Sequence, residues 1–490
     1  MDKISSGLGV LKPIQTGKVD GEETAMVMGE PLSPIARVFH EPGSNIHIIT
    51  IIGWKSKVNL EVLKANMIQI IVKHPRFSSM QVRNKENGGE IKWIPTNVDL
   101  DNHIIIPDLD QNMESSDKFV EDYVSNLSTT TIDTSKPVWE FHHLDVETSD
   151  AKAVSVLRAH HSIGDGTSLI SLLLSSTHKA SDPKALPTSS VTKRSKGTHY
   201  CPFFSIFNMV WNTVIGVVTF MLAPLFLKDT DTPLKAPPGA ELNARRFVHR
   251  SVSLDDIKLV KNSMNTTIND VVVGVTQAAL TRYLNRRYGE GKNIPEKKNY
   301  LPKDIRFRAI FFFNLRPAGG IPAFVDMIKS KEERWGNKIG IVLLPLRIGF
   351  QEGPLDYVRD AKLVMDRKKA SLEANFAYFS AKLVIKFFGS KVAGILSRKL
   401  FSCATMWFSN LAGPKEEIAF CGYPIAYIAP SCYGQPNALL IHAMSYADKM
   451  TFVLSADEAT IPDPHQLCDD LEDSLKLIKN ATLQDGVMNC

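Results

Sequence analysis

Ala159-His160-His161-Ser162-Ile163-Gly164-Asp165-Gly166 decides how this chain is read. The run follows an apolar-alternating segment, Ala153 to Leu157, expected to be a buried strand that continues to His160. It precedes Thr167 to Ser176, where Leu169, Ile170, Leu172 and Leu173 share a helical face. A histidine at a strand end projects into a cleft, and an aspartate four positions on can fix the turn behind it. That layout suits general-base chemistry on a hydroxyl or thiol. HxxxD alone is a weak signal; doubled histidine, flanking glycines and a strand-turn-helix context together are a strong one.

Outward from this motif the chain alternates helices and strands, an α/β (α+β) layout. Strands are expected at Ile46 to Trp54 and Trp139 to Val146. Between them fall helices, one capped by Asn59 and one around Phe119 to Leu127. In the second half a long helix follows Thr266 and Thr267, and strands read at Arg306 to Leu315, Ile339 to Leu346, Ala404 to Ser409, Ala438 to Tyr446 and Met450 to Ala456. The last two form a hairpin turning at Ala447-Asp448. Helices fill Leu355 to Leu400 and Pro464 to Lys479.

At 490 residues the chain is too long for one ordinary core, so two domains are expected. The division runs as a flexible tail over 1–30, a domain over 31–181 carrying the motif, a linker over 182–244, and a second domain over 245–490. The linker holds Pro202 to Leu227, uncharged and long enough to cross a bilayer core, with Lys193, Arg194 and Lys196 before it. A buried interdomain helix is the competing reading; Asn208, Asn212 and Pro224 weaken a simple span.

Hydrophobic content of 44% and charged content of 22% are globular values. A net charge of +5, with Lys and Arg spread among Asp and Glu, gives no case for nucleic acid binding. Six cysteines without a CxxC pair point to free thiols in a reducing compartment. The polar first thirty residues lack a signal core, so secretion is not expected and the glycosylation-like triplets at Asn126, Asn265 and Asn480 are read as chance.

His161 is the candidate base; the competing reading is a core histidine bonded to backbone. It would take the proton from an acceptor hydroxyl as that hydroxyl attacks a thioester carbonyl, and return it to the leaving thiolate. No Ser or Cys nucleophile is required, because a thioester is already activated. Asp165 either pairs with the imidazole, as in a triad, or locks the turn through an arginine; its place in the turn favours the second, with Arg316 as candidate partner. Gly164 and Gly166 would allow a tight turn beneath the ring. His160 is expected to pack behind the site, and His142 and His143 to be strand residues. No metal-site signature appears. Asn269, opening the long helix, either orients substrate or simply belongs to the helix start. Asn410, in Ser409 to Pro414, sits in a turn-forming run that is either a loop or a place where backbone approaches the reacting carbonyl.

His160 to Gly166 resembles the HHxxxDG signature of the bifunctional wax ester synthase/diacylglycerol acyltransferases, within the CoA-dependent acyltransferase superfamily. Pro31-Leu32-Ser33-Pro34, Pro137-Val138-Trp139, Asn269-Asp270-Val271-Val272 and Ser409 to Pro414 agree in order, so the resemblance spans nearly the whole chain and looks like the plant branch. The family's PLW element is PVW here, and its SNxxGP element carries Leu411-Ala412. The related soluble plant acyltransferases carry DFGWG where this chain reads Ser431 to Asn437 without it. The resemblance implies two chloramphenicol-acetyltransferase-like domains with an interdomain tunnel at His161, acyl-CoA as co-substrate and no tightly bound cofactor. It implies an acceptor that is a long-chain alcohol or diacylglycerol, and a location on the endoplasmic reticulum membrane, or other cellular membranes, with both domains on the cytosolic side. A single crossing at 202–227 would put the two halves on opposite faces and prevent a shared site, so that segment should be re-entrant or lie on the membrane. Alternatives are a soluble small-molecule acceptor, or a condensation-like or non-catalytic acyl-binding protein.

Overall fold

The computed structural model describes residues 29–83, 90–109, 113–188, 202–290, 299–316 and 335–488. Most of the expected tail and most of the stretch 182–201 lie outside them. Glu30, placed in the tail by composition, instead starts a strand: Glu30–Pro31 pairs with Ile91–Pro95, which pairs with Ser79–Arg83.

Two larger sheets form the scaffold. One has seven strands in the order Ile104–Ile105, Trp139–Leu144, Ala153–His160, His47–Trp54, Tyr423–Tyr433, Ile418–Phe420 and Thr177–Lys179. The other has six, in the order Ile339–Pro345, Arg308–Asn314, Met406–Ala412, Leu439–Tyr446, Lys449–Asp457 and Arg245–Ser253. The lobes are therefore not contiguous in sequence. Ile418–Phe420 and Tyr423–Tyr433, expected within the 245–490 domain, leave the second sheet and pair in the first, where Tyr423–Tyr433 runs antiparallel to His47–Trp54.

Local chemistry starts the helices. Asn59 accepts from the backbone N–H groups of Glu61 and Val62, and opens Leu60–Ile70. Thr267 and Asp270 form a reciprocal capping box at the start of Ile268–Gly289. That helix is buried nearly all round, polar Thr276, Gln277 and Thr281 included, because the second sheet, Asp356–Lys369 and Pro464–Met488 enclose it. Its core includes Val271, Val275, Phe408, Ile441 and Leu471, all buried.

The uncharged segment forms one helix, Pro202–Phe226, and its stretch from Ser205 onward is almost entirely unburied. Beside it lies Glu373–Cys403, whose helical backbone breaks at Gly389, with φ at 82°. At that dihedral a side chain would be strained, and glycine absorbs the break. The helices meet through the edge-on rings of Phe220 and Phe376, and through the Leu372 N–H, which donates to Thr213 Oγ1. Gly216 lets them approach: a Cβ there would sit 2.5 Å from a Glu373 carboxylate oxygen.

Candidate active site

The strand Ala153–His160 ends at the edge of a cavity between the two sheets, and His161 occupies the first position of a short 3₁₀ turn, His161–Ile163. The turn is held from both lobes. The His161 N–H donates to the Ile46 carbonyl at 3.0 Å. From the other lobe, Trp335 Nε1 donates to the Ile163 carbonyl at 2.8 Å.

The two histidines of the motif have different fates. His160 is buried with both ring nitrogens engaged. Its Nδ1 accepts from the Ser162 N–H at 3.3 Å, so the proton sits on Nε2, which faces the Phe39 carbonyl at 3.1 Å and Asn45 Oδ1 at 3.0 Å. Burial, then the neighbouring imidazoles of His40 and His47, hold its pKa well below the ordinary range. Both ring nitrogens are thus spent inside the protein.

His161 lines the cavity. Asn337 grips it twice: Asn337 Nδ2 donates to the His161 carbonyl at 3.0 Å, which turns Oδ1 toward His161 Nδ1, also at 3.0 Å. An amide oxygen only accepts, so Nδ1 carries the proton and Nε2 keeps its lone pair. Phe39 stacks on the ring, centroids 4.4 Å apart. Desolvation lowers the His161 pKa, against smaller raising effects from its own backbone, Asp165 and Asn337. The result is a neutral imidazole with an unpaired nitrogen, ready to accept a proton.

Asp165 does not touch His161. Its Oδ2 accepts from Arg316 Nη1 at 2.8 Å and from the Lys338 N–H at 2.9 Å, and Oδ1 accepts from the Ser168 N–H at 3.0 Å as the cap of helix Gly166–Ser176. Both charged groups are nearly sealed from water. Of the two roles considered for Asp165, the geometry is that of the lock. Arg316 continues to the Gly336 carbonyl at 2.6 Å and Ser168 Oγ at 3.1 Å. One aspartate thus ties the motif turn to the segment Trp335–Lys338, and that segment carries Asn337.

The glycines differ from expectation. Gly164 has φ of 168°, extended backbone open to any residue. Crowding is what excludes a side chain: a Cβ on Gly164 would lie 3.1 Å from the Ser168 Cβ, and one on Gly166 3.2 Å from a Leu411 methyl. Leu411 belongs to the strand Met406–Ala412, so Gly166 lets the two lobes close.

Asn410 lines the cavity, and its Nδ2 donates to Asn269 Oδ1 at 3.0 Å. Asn269 is one step removed, in the first turn of Ile268–Gly289, and does not cap it; Thr267 does. Asn337 and Phe39 were missed. Phe39 had a signal in Pro31 to Pro34: Leu32 is buried, Pro34 starts the short helix Pro34–Val38, and that helix delivers Phe39 to the ring. Asn337 had none, because its partner lies 176 positions away.

The cavity, about 600 Å³, is lined mainly by apolar side chains from both sheets and from the two exposed helices, which contribute Phe220, Met221, Tyr378 and Leu396 among others. A mixed two-lobed α/β fold, with a buried neutral histidine facing a greasy cavity between the lobes, is the arrangement expected of an acyltransferase of the CoA-dependent type. Whole-chain comparison shows the same fold in the wax ester synthase/diacylglycerol acyltransferase from Marinobacter aquaeolei VT8, which superposes with TM-score 0.59 at 18% identity, covering 92% of this chain and 99% of that one. A condensation domain from the Monacolin K polyketide synthase MokA has TM-score 0.53 at 10% identity, covering 93% and 97%.

Sequence comparison narrows the class. Residues 54–272 match the wax ester synthase/diacylglycerol acyltransferase catalytic domain, and residues 335–479 match the WS/DGAT C-terminal domain. Wax ester synthase/diacylglycerol acyltransferase 11 of Arabidopsis thaliana is 46% identical over 473 residues, covering 94% of this chain and 96% of its own. Number 7 of the same plant is 45% identical over 479 residues, covering 94% and 99%. The chain belongs to the wax ester synthase/diacylglycerol acyltransferase family, in its plant branch, and is an acyl-CoA-dependent acyltransferase.

Proposed function

We propose that this enzyme moves a long-chain acyl group from acyl-CoA to the hydroxyl of a long-chain alcohol, with diacylglycerol as a second acceptor. His161 is the general base. Its Nε2 takes the alcohol proton, the alcohol oxygen attacks the thioester carbon, and the tetrahedral intermediate expels the CoA thiolate, which recovers the proton from the imidazolium. The single observation that carries this reading is the locked tautomer: Asn337 holds Nδ1 so that the lone pair of Nε2 is left for the cavity. Asp165 and Arg316 keep the turn in place, and Asn410, steadied by Asn269, borders the reacting space. Acyl-CoA is a co-substrate, and no tightly bound cofactor enters the scheme. The apolar lining favours a lipid acceptor over a soluble one.

The reaction takes place on the cytosolic surface of a membrane, the endoplasmic reticulum being the expected one. Two observations support contact with a membrane surface. The outer faces of both cavity-lining helices are apolar and exposed, with Phe226 at 73%, Phe387 at 69% and Phe388 at 68% of full exposure. From residue 374 to 403 the second helix has no acidic residue, while Lys382, Lys386, Lys391, Arg398 and Lys399 accompany its apolar side chains, the pattern of a helix lying in an anionic interface. Because the seven-stranded sheet draws strands from both sides of Pro202–Phe226, that helix is read as seated in one leaflet rather than crossing.

Expression in a host lacking neutral lipids, fed a fatty alcohol, tests the activity: wax ester should accumulate, and its absence alongside well-expressed protein would refute the reading. Protease protection of tags at the two termini in sealed microsomes tests the topology. Both tags should be cleaved from the cytosolic side, and tags on opposite sides would overturn it.

A further inference from the structure

A second imidazole faces the cavity. His442 lies on Leu439–Tyr446, beside Ser409 on the parallel strand Met406–Ala412. Two positions before each stand Leu440 and Trp407, which pack on the cavity side of the six-stranded sheet. Side chains two apart on a strand share a face, so His442 and Ser409 point the same way, and both line the cavity with His161.

The ring's two nitrogens are not equivalent. Nδ1 is buried with no partner, and Nε2, neither bonded nor sealed, is the ring's polar contact with the cavity. A buried N–H without an acceptor costs more than a buried lone pair without a donor. The proton therefore belongs on Nε2, where it points into the reacting space. Burial, and secondarily the nearby His161, push the His442 pKa down to about 3. At neutral pH His442 thus neither gives up nor takes a proton; it offers one fixed N–H.

We propose that His442 is a catalytic residue, whose Nε2–H donates a hydrogen bond to the thioester carbonyl oxygen as that oxygen gains negative charge. This rests on the acyl-transfer reading. When the alcohol oxygen bonds to the thioester carbon and its proton passes to His161 Nε2, the carbonyl π pair moves onto oxygen. The His442 N–H faces that oxyanion until the pair returns, the C–S bond breaks and the proton moves from His161 to sulfur. His442 transfers nothing. A prepositioned neutral donor in an apolar cavity strengthens its bond as charge develops. A charged imidazolium there would instead oppose protonation of His161. Neither the histidine motif nor the asparagine elements cover this residue.

Steady-state kinetics on purified His442→Leu and His442→Gln, with acyl-CoA and long-chain alcohol in detergent, test the role. Loss of one such donor costs about 10²–10³-fold in kcat, so His442→Leu should fall by that much with the KM for acyl-CoA changed little. His442→Gln, which restores an N–H, should recover most of it. The infrared band of a carbon-13 thioester carbonyl on bound acyl-CoA should lie at lower frequency in the wild type than in His442→Leu, a difference that a purely structural role would not produce. Should the Leu variant fail to fold, His442→Met takes its place: it should lose rate and shift the band as Leu would, while His442→Gln keeps activity within about tenfold of wild type and a wild-type band. Equal losses in the apolar and Gln variants, no loss in a folded apolar variant, or an apolar-variant band at the wild-type frequency would overturn it. A well-behaved His161→Ala with full activity would instead defeat the underlying acyl-transfer mechanism, so the two failures are distinct.

Discussion

Replacing Asp165 by Asn separates its two conceivable roles. The carboxylate accepts three hydrogen bonds, from Arg316 Nη1, the Lys338 N–H and the Ser168 N–H. An amide has one acceptor oxygen and one donor nitrogen. If its oxygen serves Arg316 and Lys338, its NH₂ group meets the Ser168 N–H, and a helix cap worth about 1 kcal/mol is lost. The buried guanidinium meanwhile loses its countercharge, a further cost of about 1.5–3 kcal/mol. Together these give about 3 kcal/mol, the lower end of what breaking a buried pair costs. That is a large part of the roughly 5–15 kcal/mol that holds a typical domain folded. The urea midpoint of the detergent-solubilised enzyme should fall accordingly. Arg316→Met in the same chain removes the stranded charge, so the double variant should be more stable than the two single losses predict, by at least about 1 kcal/mol of coupling. Catalysis should follow a different course. Asp165 raises the His161 pKa through charge, so its neutralisation lowers that pKa further and leaves the imidazole neutral at pH 7. The acid limb of kcat/KM should therefore move to lower pH. A variant with a wild-type midpoint but a rate reduced by about 10³-fold or more would show that Asp165 serves the imidazole directly, as a triad aspartate does.

Asn337→Leu frees Nδ1 and removes the tautomer lock; kcat should fall at least about tenfold, toward the roughly 10⁴-fold loss of a fully mis-set imidazole. Unchanged kcat in steady-state assay would remove Asn337 from the mechanism. Stability should decline in acid. Burial lowers the pKa values of His40 and His74 to about 4 and of His47 to about 3, from about 6.5 in the unfolded chain. Below pH about 6.5 the unfolded state binds more protons, so the stabilisation is complete above that value and is lost as pH falls toward 4 and then 3. Unfolding midpoints measured from pH 7 to 4 should drop steadily; a flat profile would contradict neutral burial of these rings. Gly216→Leu should drive apart Pro202–Phe226 and Glu373–Cys403 and weaken co-flotation with anionic vesicles; undiminished flotation would show that their contact is not needed for membrane binding.

Much of the site was legible because its signals are local. The motif His160 to Gly166, the caps at Asn59 and Thr267, and the hairpin at Ala447-Asp448 each rest on residues a few positions apart. Arg316 could be proposed as partner of Asp165 because only its position after a strand mattered. Asn337 and His442 could not be singled out, since an isolated asparagine or strand histidine has no distinguishing neighbours and gains meaning only when distant strands pair. Tyr423–Tyr433 was hidden for a related reason. Its apolar content suits either sheet, and only its pairing with His47–Trp54 assigns it to the first. The exposed face of Glu373–Cys403 was obscured by its lysines, which break up the apolar run that made Pro202 to Leu227 conspicuous.

The most direct measurement is single-turnover acyl transfer by purified His161→Ala, with acyl-CoA prebound and long-chain alcohol added, alongside the wild type and with folding checked by unfolding midpoint. Loss of the base should slow ester formation by about 10²–10⁴-fold while the midpoint stays near that of the wild type. Ester formed at the wild-type rate by the folded variant would show that the alcohol is deprotonated by something other than this imidazole.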